Sequence, residues 1–182
     1  MNRNANVSVP VSASAFLILT VIGDDRPGLV GELSALISAH QGNWLESSMS
    51  QLAGKFAGIV KVEIDAQHAE TLKMALAGLR GLKATAEIST PPVAAQGRRM
   101  KLAVVAHDRI GIVREVSQVL AHHAVNVEEL VTFISSAAMS AESLFNAKAI
   151  LHVAAELDLH VLTAELEKIS NDLMVDLTIA ES

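Results

Sequence analysis

The sequence predicts an α+β protein built from two tandem copies of one βαββαβ module. Three observations predict it: an ungapped internal repeat, apolar alternation with a period of two, and intervening segments with apolar residues at helical spacing. The repeat is the strongest. A shift of 83 positions superposes Asp25 on Asp108, Arg26 on Arg109, Gly28 on Gly111 and Val30 on Val113. The same shift superposes Glu32 on Glu115, Ser34 on Ser117, His40 on His123, Asn43 on Asn126 and Glu46 on Glu129. Later the shift becomes 89, matching Phe56 with Phe145, Val62 with Leu151, Leu72 with Val161 and Ile88 with Leu177. The second copy therefore carries about six extra residues around positions 135–142.

The elements follow in order. Residues 16–22 (FLILTVI) form a first strand, and residues 27–40 a helix with Leu29, Leu33, Leu36, Ile37 and His40 inward. Residues 43–53 and 56–64 form two strands; in the latter Phe56, Gly58, Val60, Val62 and Ile64 alternate with Ile59, Lys61 and Glu63. Residues 68–79 form a second helix on Leu72, Ala75, Leu76 and Leu79, and Ala84, Ala86 and Ile88 mark a last strand. In the second copy, residues 101–106 form a strand and 111–123 a helix with Ile112, Val116, Val119, Leu120 and His123 inward. Strands near 126–134 and 144–153 follow, then a helix near 158–171 on Val161, Leu162, Leu166 and Ile169, then a strand on Val175, Leu177 and Ile179. Residues 1–15 are expected to be a flexible tail, 16–89 the first domain, 90–98 a Pro- and Gly-containing linker, and 99–182 the second domain.

Right-handed β-α-β crossovers in such a unit give a four-stranded antiparallel sheet with both helices on one face, a ferredoxin-like arrangement. The first strand is apolar on both sides, with Phe16, Ile18 and Thr20 facing one way and Leu17, Leu19 and Val21 the other. A cover is therefore expected over the helix-free face, either the sister module or another chain.

Composition narrows the function classes. The chain is 51% hydrophobic with 4 Phe, 1 Trp and no Tyr, so its cores are aliphatic. The net charge of −6 opposes binding to a polyanion, and the Arg98, Arg99, Lys101 cluster reads as a solvated interdomain segment. No cysteine is present, which removes disulfides, thiol catalysis and Cys-ligated metals. The apolar run at 16–22 is too short for a membrane span and lacks a cleavage site, so a cytoplasmic protein is expected.

The loop after the first strand of each copy holds the chemistry. Asp25 and Asp108 are expected to accept hydrogen bonds from first-turn amides, and Pro27 to open the helix. Gly28 and Gly111 let a ligand approach the backbone. A helix N-terminus offers unpaired N–H groups to a carboxylate, and the nearby Asp could take an ammonium. From local chemistry alone, a helix start with no ligand is the simpler reading of the same residues. Arg26 and Arg109 could pair with Glu46 and Glu129 or contact a ligand carboxylate.

The segment Gly23-Asp24-Asp25-Arg26-Pro27-Gly28-Leu29-Val30, the following helix and Asn43 at the next strand resemble the ACT domain. Over residues 16–179 the chain resembles two such domains, and the pair is similar to the glycine cleavage system transcriptional repressor family. The resemblance implies binding of an amino acid, glycine among the options, or a related effector at the loop before the first helix, often across a domain interface. It points to Asp25, Arg26, Gly28 and Asn43, with Asp108, Arg109, Gly111 and Asn126, as ligand-binding positions. It also implies a homo-oligomer that has no catalytic residues, cofactor or metal and acts on transcription through a DNA-binding partner protein, touching neither nucleic acid nor membrane itself. The second copy departs with Ile110 for Pro27 and His107 for Asp24, so the two sites are expected to differ.

Three rival classes differ in what the sequence offers them. An enzyme lacks support: no G-x-S-x-G, HExxH or P-loop pattern occurs, and the adjacent His122 and His123 diverge on a helix. An RNA-binding sheet would need exposed aromatics. An interaction module that binds no small ligand stays open.

Overall fold

A computed structural model describes residues 14–89, 97–136, 142–171 and 173–179. The chain divides into two compact units, Met1–Val93 and Ala94–Ser182. In the first, β1 (Ser14–Asp24), α1 (Leu29–Ala39), β2 (Asn43–Leu52), β3 (Lys55–Asp65), α2 (Ala66–Ala77) and β4 (Leu82–Ser89) follow in order. The second repeats them as β5 (Arg98–His107), α3 (Ile112–His122), β6 (Asn126–Ser136), β7 (Ser143–Val153), α4 (Leu159–Glu167) and β8 (Met174–Ile179). The sheets are antiparallel in the orders β2-β3-β1-β4 and β6-β7-β5-β8, so each unit is the expected ferredoxin-like βαββαβ fold.

Period-two alternation decides which sheet face meets the helices. Leu17, Leu19 and Val21 of β1 and Val60, Val62 and Ile64 of β3 are buried against Leu29, Leu33 and Ile37 of α1 and Ala69, Leu72 and Leu76 of α2. The second core repeats this with Met100, Leu102 and Val104 of β5, Ala149, Leu151 and Val153 of β7, and Ile112, Leu120, Leu162 and Leu166 of α3 and α4. Each buried Val, Leu, Ile or Met side chain among them contributes about 1.5–3 kcal/mol, so the stripes outweigh local propensity in setting the fold. Asp65 and Asp158 start α2 and α4 by accepting from Gln67 N (3.0 Å) and His160 N (2.9 Å). Among the described residues, no helix is long and apolar enough to cross a membrane.

Several sequence expectations shift. Arg98, Arg99 and Lys101 belong to β5 rather than to an interdomain segment: Arg99 pairs with Glu128 (2.7 Å), and Arg98 donates to the Leu157 carbonyl (2.8 Å). Ser14 and Ala15 extend β1 into the expected tail, while residues 1–13, the linker at 90–96 and the insertion at 137–141 lie outside the described residues. Asp65 starts α2 two residues early, and α4 ends at Glu167. Val161, expected on the inward stripe of α4, is exposed because Leu162 and Leu166 already fill that stripe. The helix-free face is more mixed than β1 alone suggested, since the matched positions on β2 and β4 are Glu46, Ser48, Lys83, Thr85 and Glu87.

Candidate functional site

The turn between β1 and α1 starts where Asp25 N donates to Gly54 O (2.9 Å), tying it to the β2–β3 hairpin. Asp24 and Lys55 form an ion pair across the same junction, and this hydrogen bond holds the Asp24 carboxyl below its ordinary value. The chain then reverses through Gly28, at φ 92° and ψ −6°, which is the N-cap of α1. Gly111 does the same for α3 at φ 98° and ψ −9°. An L side chain rarely adopts this backbone, so glycine is required by conformation.

This corrects the expected capping. Neither Asp25 nor Asp108 caps its helix, because a left-handed N-cap glycine separates the aspartate from the first-turn amides and no side chain caps either helix. Pro27 precedes the N-cap instead of opening the helix. The first amides of α1, from Leu29 to Gly31, therefore have neither an intrahelical acceptor nor a side-chain cap, and they lie at the positive end of the helix dipole.

The arginine partners are corrected as well. Arg26 donates both Nη atoms to Glu32 at 2.6 and 2.7 Å, and Arg109 makes the same two-pronged contact with Glu115. Glu46 and Glu129 sit on β2 and β6, whereas Glu32 and Glu115 lie in the first turn of the helix, within reach of a fork arriving from the turn. The hydrogen bond from each guanidinium holds the Glu32 and Glu115 carboxyls below their ordinary values. Both glutamates stood among the repeated positions, so the repeat itself carried the signal for this pair.

Around the turn, Asp25, Arg26, Gly28, Leu29, Val30, Gly31 and Phe56 line an open hollow of about 200 Å³. The Asp25 carboxylate, exposed beside it, has no hydrogen-bond or ion-pair partner among the described residues. Asn43 is not brought to this hollow. It follows the far end of α1, whose eleven residues span roughly 16 Å, and Asn126 stands in the same relation to Gly111. Within one unit the glycine turn and the asparagine are two separate places.

The histidines do not form a chelate. The His122 and His123 rings meet edge-on with centroids 5.3 Å apart, and His123 Nε2 lies 2.9 Å from Glu165 of α4, a hydrogen bond that holds Glu165 below its ordinary value. Among the described residues, no group of three or more His, Asp or Glu side chains could hold a metal ion.

Comparison with known proteins agrees with this geometry. Residues 15–88 match the family model of the ACT domain. The match spans the first unit, and the second unit repeats its strand order and its glycine turn. A crystal structure of an unknown protein from Galdieria sulphuraria is 26% identical, covers 93% of this chain and 100% of its own, and superposes with a TM-score of 0.83. A candidate glycine cleavage system transcriptional repressor is 18% identical over 94% of this chain and 100% of its own, with a TM-score of 0.65, and shares the fold. No curated protein matches the sequence.

Proposed function

We propose that this chain is a non-catalytic regulator that binds an amino acid or similar small effector at its glycine turns and modulates transcription, of the glycine cleavage type, through a DNA-binding partner protein. One observation carries the reading: a left-handed N-cap glycine leaves uncapped helix amides beside an unpartnered Asp25. The amides suit a carboxylate and the aspartate suits an ammonium, the two charges of an α-amino acid. Because Asn43 stands about one helix length away, a site that uses Asp25, Arg26, Gly28 and Asn43 together needs a second module to supply the asparagine; the same holds for Asp108, Arg109, Gly111 and Asn126. The likeness in fold to a candidate repressor that is matched over its whole length supports the transcriptional part.

The alternative is an interaction module without a small ligand, favoured by β6. This edge strand exposes Val127, Leu130, Val131, Phe133 and Ile134, a surface suited to pairing in a homo-oligomer. Thermal unfolding against the twenty amino acids at millimolar concentration separates the two. A ligand of the native state raises the midpoint, and Asp25→Ala removes the rise while the fold persists. If no amino acid moves the midpoint, the effector reading falls and the interaction module stands.

A further inference from the structure

The two sheets share a strand order but not the chemistry of their helix-free faces. In the first, Thr20 of β1 lies between Ile59 of β3 and Thr85 of β4, and its hydroxyl hydrogen-bonds Thr85. The 83-residue shift puts Ala103 at that position of β5, between Lys148 of β7 and Asp176 of β8. Three β-branched side chains and one hydroxyl contact thus give way to a methyl group flanked by a cation and an anion.

The result is a hollow of about 350 Å³ on the helix-free face of the second sheet. That is near the lower end of the range, roughly 300–1,000 Å³, of pockets that take small molecules. Lys101 enters it from the same strand as Ala103, while Ile150 and Val131 give it an apolar side. Adjacent strands are about 4.8 Å apart, so the backbones of Lys148 and Asp176 stand roughly 10 Å apart across Ala103.

The charges here are not used up by the fold. Lys101, Lys148 and Asp176 are exposed and have no ion-pair partner among the described residues. The other carboxylate of the hollow, Glu129, is already near Arg99 at 3.9 Å. Two unpaired ammonium groups and one unpaired carboxylate line the same hollow, with Ala103 between Lys148 and Asp176. An anion alone would meet the Asp176 carboxylate as well as the lysines and a cation alone would meet two lysines, so a molecule carrying both charges matches the hollow best.

We propose that this hollow is a small-molecule site, separate from the glycine turns, that takes a free amino acid with a short aliphatic side chain. The carboxylate sits between Lys101 and Lys148, the ammonium faces Asp176, and the side chain covers Ile150 and Val131. The site does not depend on the reading of Asp25 and Gly28.

The test is amide NMR of the ¹⁵N-labelled full chain titrated with L-valine, N-acetyl-L-valine (no ammonium) and isobutylamine (no carboxylate). Valine is expected to shift the amides of residues 101–103, 148–150 and 176 saturably at millimolar concentration. Both analogues bind at least about tenfold more weakly, because each loses a charge-assisted hydrogen bond. The double variant Lys101→Ala/Lys148→Ala, at two exposed positions that leave the core untouched, loses at least tenfold in affinity. Asp25→Ala/Asp108→Ala leaves these shifts unchanged. The proposal is overturned if valine moves only amides near 25–31 and 108–114, if it moves none saturably, if an analogue binds as well as valine, or if the lysine variant keeps its affinity.

Discussion

Adding one methyl group at Gly28 should destabilise the protein, and adding the same group three residues later should stabilise it. A Cβ built on Gly28 meets nothing closer than Glu32 Oε1 at 3.9 Å, an ordinary contact, so Gly28→Ala creates no clash. Its cost is the backbone alone: at φ 92° an L residue carries about 1–3 kcal/mol of strain. The smaller entropy of the unfolded alanine chain offsets roughly 0.4–1 kcal/mol of that, leaving a net loss of about 1–2 kcal/mol. Gly31 lies within α1 and also has free space for a Cβ, so Gly31→Ala should gain up to about 1 kcal/mol from helix propensity. Urea unfolding of both variants, with m-values checked for constancy, measures the pair. Gly111→Ala should repeat the Gly28 result, because its φ is 98° and its nearest contact 3.7 Å. If Gly28→Ala and Gly31→Ala move stability in the same direction, the left-handed N-cap is refuted and the aspartate-capped helix start returns.

Three other outcomes are expected. Glu32, Glu115 and Glu165 each have a folded pKa below the ordinary 4.5, so the folded state binds fewer protons; their stabilisation is complete above that value and lost as pH falls through the folded value. Acid titrations of stability should therefore be shallower below pH 4.5 for Glu32→Gln and Glu115→Gln than for the parent, and an unchanged acid limb would contradict the ion pairs. Leu72→Ala, at a fully buried position, should cost about 2–5 kcal/mol in denaturant unfolding, whereas Leu52→Ala, at a position 78% exposed, should stay within about 0.5 kcal/mol. Val131→Lys and Phe133→Lys on β6 should shift any oligomer toward monomer in sedimentation equilibrium, and an oligomer indifferent to both would remove β6 from the interface.

The fold was legible because two independent periodicities and a repeat agreed. Leu17, Leu19 and Val21 against Val60, Val62 and Ile64 show the alternation, and Leu29, Leu33 and Ile37 the helical stripe. The site was only half legible. The glycine turn stood out by its repetition, but sequence preferences favour an aspartate cap wherever Asp precedes a helix. Only the backbone dihedral reveals that Gly28 itself takes the N-cap. Arg26 likewise has Glu32 and Glu46 as candidate partners in sequence, and the choice depends on which carboxylate the turn presents to the guanidinium. Arg98 and Arg99 misled for a related reason: charge next to a Pro-containing segment reads as linker, yet Arg99 pairs with Glu128 and Arg98, at the start of an inner strand, donates to the Leu157 carbonyl.

What the duplication kept and what it changed point in different directions. Both copies keep the left-handed glycine, the arginine–glutamate pair and a strand irregularity at matching places, between Trp44 and Glu46 and between Val127 and Glu129. All three bear on how α1 or α3 enters and leaves the sheet, so the fold requires their repetition whichever of the two turns holds a ligand. The differences have no such explanation. Thr20, Ile59 and Thr85 make a serviceable sheet face, and Ala103, Lys148 and Asp176 replace it with a hollow and charges that satisfy nothing within the unit. Likewise β2 presents serines where β6 presents Val131 and Phe133. A second copy that only had to fold could have kept the first solution. The differences between the two units are therefore better guides to separate duties than the motif that repeats.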